Sequence, residues 1–69
     1  MNLKDHVEVA RIENTRWALS EAAEIECRLN DAVGSDNVDW WIKEYYEAQC
    51  SYRIFTVPKE LEDKARKYL

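Results

Sequence analysis

The residues able to carry acid–base, nucleophilic or metal chemistry are few and scattered. His6 is the only imidazole in the chain and stands near the N-terminus, with no second histidine to share a metal ion or a proton. Cys27 and Cys50 lie far apart and neither belongs to a C-x-x-C pair. One histidine and two distant thiols do not make the four-ligand set of a structural zinc site. Without a secretion signal they read as two separate thiols rather than a disulfide. Ser20, Ser35 and Ser51 are explained as helix surface, helix cap and helix end, and none sits in a G-x-S-x-G elbow. A single glycine, Gly34, excludes a glycine-rich phosphate cradle. The carboxylates are plentiful, but no spacing singles out a catalytic pair, and a solvated helix face accounts for them. This inventory assigns no catalytic residue, no metal ligand and no cofactor. Binding, not catalysis, is the expected activity.

The feature that stands above this background is aromatic. Trp40, Trp41, Tyr45, Tyr46, Tyr52 and Phe55 crowd into one short window. Read at 100° per residue, Trp41, Tyr45 and Tyr52 share a stripe with Val38, Ile42 and Ala48 and are expected in the core. Trp40 and Tyr46 point away from that stripe, towards Lys43, Glu44 and Glu47. Tryptophan and tyrosine are the side chains most enriched at interface hot spots, and charged neighbours suit a rim. Trp40, Tyr46, Lys43, Glu44 and Glu47 are therefore the candidate partner-binding residues.

Charge narrows the partner. The formal net charge is −4, and the excess lies in the N-terminal half. There Asp5, Glu8, Glu13, Glu21, Glu24, Glu26, Asp31 and Asp36 face only Lys4, Arg11, Arg16 and Arg28. Direct nucleic-acid binding needs a basic footprint that is missing. A basic protein partner is compatible with the excess. So is a nucleic-acid-linked alternative, in which an acidic helix face mimics DNA or the chain joins a DNA-binding complex.

The elements that must position these residues read as helices. The chain has 69 residues, 46% of them hydrophobic and 35% charged, with one Gly and one Pro. That composition is too apolar for a disordered segment and too poor in turn formers for an all-β domain. Leu3, Val7, Ala10, Trp17, Ala18, Ala22, Ile25, Leu29, Ala32 and Val33 fall on one face, predicting a long helix over about 3–33 that ends at Gly34. Ser35, Asp36 and Asn37 are good caps for a second helix over about 36–51. Pro58 suits the first turn of a third over about 58–69, where Glu60–Lys64, Glu62–Arg66 and Asp63–Lys67 are acid-before-base pairs four apart. The expectation is one all-α, three-helix domain spanning 1–69. The alternative is α+β, with short strands near 6–12 and 52–57, because both stretches are rich in β-branched residues.

A helix of that first length would run about 46 Å. The second would be too short to cover it, which leads to the expectation of a homodimer. No apolar run reaches the roughly 20 residues that span a bilayer, and a cytoplasmic protein is expected. The functional expectation is a small acidic protein-binding module, an adaptor, regulator or inhibitor of a larger protein. Phage and mobile-element accessory proteins, anti-defence proteins among them, share this kind of composition. A structural homo-oligomer is the third reading.

Overall fold

The computed structural model describes residues 5–45 and 50–69. It is α+β rather than all-α. The described elements are strand β1 (His6–Glu13), helix α1 (Leu19–Val33), strands β2 (Asp39–Tyr45) and β3 (Cys50–Pro58), and helix α2 (Glu62–Tyr68). Short 3-10 turns at Arg16–Ala18, Ser35–Asn37 and Lys59–Leu61 lead into or out of the longer elements. The strands form one antiparallel sheet in the order β1-β3-β2. Both helices lie against one face of it.

The three-helix expectation fails in a different way at each segment. The stretch 3–33 divides after Glu13: a strand occupies its first part, and only Leu19–Val33 is α-helical. The cause of the misreading is a β-bulge. Val7 pairs with Val57 and Ala10 pairs with Phe55, while Val9 is inserted between them without a partner of its own. The bulge shifts the strand's alternation by one residue, so Val7, Ala10 and Ile12 all turn towards the helices. A three-residue step between Val7 and Ala10 therefore imitates a helical period. In the stretch 36–51 the described residues form the end of a 3-10 turn, strand β2 and the first residues of β3 instead of a helix, and 46–49 lie outside the described residues. The third segment keeps a helix but shortens it to Glu62–Tyr68, with Pro58 closing β3 rather than opening the helix.

Strand β3 organises the rest. Ile54, Phe55, Thr56, Val57 and Pro58 are all buried. A strand buried on both faces must find partners for its backbone on both edges. That requirement recruits Asp39–Tyr45 as a strand despite its helical spacing. Its Trp-Trp-Ile run is also of the type that fits a pleated surface.

The core joins Phe55, Val57, Val9 and Ile12 of the sheet to Ala22 and Leu29 of α1 and Ala65 of α2, with Ile25, Val33, Val38 and Ala18 around them. Leu29, Phe55, Val57 and Ala65 have no exposed surface. The α1 residues recur at three- and four-residue steps, as an amphipathic helix requires. Its end is set by Gly34, whose φ of 90° is available to glycine and poorly to other residues. The Gly34 amide donates to the Asn30 carbonyl at 2.8 Å, and Asn37 Nδ2 donates to the Val33 carbonyl at 2.7 Å. A Cβ at Gly34 would meet only Asn37 Nδ2, at 3.8 Å, so the obstacle is conformational rather than steric crowding. Gly34→Ala should accordingly cost about 1–3 kcal/mol. Thermal denaturation checks this, and an unchanged midpoint would remove the conformational argument.

Among the described residues, no helix is long and apolar enough to cross a membrane.

Candidate functional site

Both helices pack against β1 and β3, and β2 extends beyond the helical layer. All six residues from Asp39 to Glu44 are exposed. Pairing with β3 fixes which way each one faces. Trp40 opposes the core residue Phe55, and Ile42 opposes Arg53, so both share the helix-side face. Trp41 opposes Ile54 and Lys43 opposes Tyr52 on the other, uncovered face. Trp40 and Trp41 are each 46% exposed and Ile42 37%. An edge strand with large apolar side chains on both faces is what a monomeric domain ordinarily avoids.

The side chains around β2 hold it in shape. The Arg53 guanidinium lies 4.4 Å from the centre of the Trp40 ring, leaving the opposite side of the indole uncovered by it. On the uncovered face, Arg11 is the hub. Its Nε and Nη2 donate to the Glu8 carboxylate at 3.1 and 2.9 Å, and its Nη1 donates to the Tyr45 hydroxyl at 2.9 Å. The same guanidinium lies 5.8 and 5.7 Å from the Tyr45 and Tyr52 ring centres. Those rings meet edge to face at 5.4 Å. The hydrogen bonds to Glu8 hold the Arg11 pKa above its ordinary value, with burial opposing and the charges of Glu8 and Tyr45 adding to the effect. The Tyr52 phenol is also held above its ordinary value, first by a hydrogen bond with Cys50, then by the Cys50 charge, burial and Glu13, with Arg11 opposing. Lys43 Nζ lies 5.3 Å from the Tyr45 ring centre. Ile54, between Arg11 and Trp41, is only 2% exposed although no helix covers this face.

At the far end of β2, His6 Nδ1 lies 3.2 Å from Thr56 Oγ1 and 3.6 Å from Asp39 Oδ2. This contact supplies the buried Thr56 hydroxyl with a partner. Among the described residues, no group of three His, Cys, Asp or Glu side chains stands close enough together to hold a metal ion. A shallow depression beside β2 is lined by Glu8, Arg11, Trp41, Lys43, Glu44 and Ile54. Its acids and bases are mixed, so it offers no basic track for a phosphate backbone.

Of the residues singled out from sequence, Trp40, Lys43 and Glu44 lie together on β2, and Trp40 is exposed. Tyr46 and Glu47 fall outside the described residues. The assignment of Trp41, Tyr45 and Tyr52 to the core is corrected. None of the three belongs to the buried cluster; Trp41 is half exposed, and the two tyrosines sit partly buried on the uncovered sheet face. The helical projection also missed Ile42 and Arg11. Alternation along Asp39–Lys43 would have separated Trp40 and Ile42 from Trp41 and Lys43, but nothing local indicated that β2 lies past the helices. Trp17, 83% exposed with Arg16 5.6 Å from its ring centre, was likewise assigned to the buried helix face and lies outside it.

No family model, curated protein or solved structure matches this chain.

Proposed function

We propose that this protein is a protein-binding module, an adaptor, regulator or inhibitor, and that strand β2 is its docking element. The observation that carries this reading is the exposure of Trp40, Trp41 and Ile42 on opposite faces of an edge strand. Such a strand offers a partner both an unpaired backbone edge and side-chain anchors, the combination used in β-strand addition. The other edge of the sheet is protected. β1 is interrupted by the bulge at Val9, and Arg66 Nη2 donates to the Glu8 carbonyl at 3.2 Å. No bulge interrupts the pairing of β2 with β3. The mixed charge around β2 favours a polypeptide over a nucleic acid. The reading places the protein in a reducing compartment, the cytoplasm, in keeping with the unpaired thiols of Cys27 and Cys50.

The test is site-specific photo-crosslinking in the native host. A benzophenone side chain at position 41 should give one discrete protein adduct, and the same group at Lys64, exposed on α2, should give none. Absence of an adduct at 41, or equal labelling from both positions, would overturn the assignment of β2.

A further inference from the structure

We propose that the occupant of the β2 edge is a second copy of this chain, paired antiparallel about a two-fold axis at Trp41 to form a continuous six-stranded sheet. The inference rests on β2 being the docking edge and specifies its partner.

In an antiparallel strand each residue directs both its N–H and its C=O to the same side, and the side alternates along the chain. Two copies of β2 can therefore pair without a bulge only about a residue, not about the bond between two residues. Within Asp39–Tyr45 three central residues leave an extended ladder. Centring on Lys43 sets that ammonium against its own copy, an unfavourable like-charge pair. Centring on Ile42 sets Lys43 against Trp41, but it leaves the Glu44 carboxylate directly opposite the Trp40 indole and Asp39 directly opposite Tyr45, so neither carboxylate has a cation as its direct cross-strand partner. Centring on Trp41 places Asp39 opposite Lys43 of the second copy at both ends of the ladder. Inside those ion pairs, Trp40 meets Ile42 of the second copy on one face, and the two Trp41 rings meet across the axis on the other. Each cross-strand pair then joins like with like in polarity and opposite in charge, which is how antiparallel pairs stabilise a sheet. The five-residue run Asp-Trp-Trp-Ile-Lys is thus complementary to itself when reversed.

The structure leaves each of these side chains available. The Asp39 side chain is 69% exposed, with His6 Nδ1 at 3.6 Å from its carboxylate. Trp40, Trp41 and Ile42 are exposed as described, and Lys43 is exposed. Lysine on a sheet edge usually deters pairing. In this register the opposing Asp39 removes that penalty. The interface is isologous, so it closes at two copies and does not propagate into a fibre.

Sedimentation equilibrium of the purified chain should give twice 8.2 kDa at micromolar concentration. Asp39→Lys and Lys43→Asp, each alone, should raise the dimer dissociation constant about tenfold or more, and the double variant should restore it. Far-UV circular dichroism confirms that the single variants fold. In a Cys27→Ser, Cys50→Ser background, Trp41→Cys should form an intermolecular disulfide on mild oxidation and Lys43→Cys should not. A mass of 8.2 kDa throughout, or a dimer insensitive to the charge changes, would overturn the proposal. The photo-crosslink at position 41 separates the two levels of inference. An adduct with a second copy supports β2 as the docking edge and the self-pairing, and assigns that edge to assembly rather than to a different protein; an adduct with a different chain keeps β2 as the docking edge and overturns the self-pairing, and no adduct overturns both.

Discussion

Phe55→Ala should produce the largest loss of stability of any single truncation in the core. Phe55 has no exposed surface and sits in the middle strand, flanked by Ala10 on β1 and Trp40 on β2. It belongs to the cluster that joins the sheet to Leu29 of α1 and Ala65 of α2. Truncating a buried phenylalanine costs about 3–5 kcal/mol, the sum of lost transfer energy and the cavity left behind. A domain of this length has a total margin of roughly 3–10 kcal/mol. The substitution removes between about a third and all of it. Urea denaturation followed by tryptophan fluorescence measures the effect, with Phe55→Leu as the conservative comparison expected to lose much less. A Phe55→Ala loss below about 1 kcal/mol would mean that the layers do not meet at this residue. Since a dimer binds only the folded chain, the measurement should be made at two protein concentrations.

Trp40→Ala should produce the opposite pattern, with stability nearly kept and association lost. Trp40 is 46% exposed, and the Arg53 guanidinium lies 4.4 Å from its ring centre. A stack of that kind at an exposed site contributes about 0.5–1 kcal/mol. A tryptophan anchor in an interface is commonly worth 2 kcal/mol or more, which is a change of about 30-fold in dissociation constant. In a symmetric pair the residue is lost twice, so the effect on dimerisation is at least of that order. Titration by sedimentation or light scattering reads it, with a thermal melt of the same sample as control. A melt lowered as far as that of Phe55→Ala would move Trp40 into the core and remove it from the interface.

These two aromatics show where the chain's information is local and where it is not. The sequence by itself determined that Gly34 ends a helix and that Ala22, Ile25, Leu29 and Val33 form that helix's apolar face. By type it also offered Trp40, Tyr46, Lys43, Glu44 and Glu47 as candidate recognition residues. These conclusions rest on propensity, spacing and side-chain chemistry within a few residues. The helical pair Glu62–Arg66 is of the same kind, and its ion pair forms at 2.9 Å.

Tertiary structure alone decided the rest. The bulge at Val9 is visible only once β1 is laid against β3, because a phase shift has meaning only relative to a partner strand. Residues 39–45 satisfy a helical period, yet they become a strand because β3, buried on both faces, requires a second hydrogen-bonded neighbour. Trp41 and Trp40 are adjacent in sequence and similar in type, and no local rule distinguishes a buried indole from an exposed one. Trp40 is exposed because the helical layer, built from α1 and α2, packs on β1 and β3 and stops short of β2, and Trp41 because it lies on the face that carries no helix. Burial depends on which surfaces are within reach of one another, and here that is set by where α1 and α2 sit on the sheet, over β1 and β3, which no stretch of local sequence specifies.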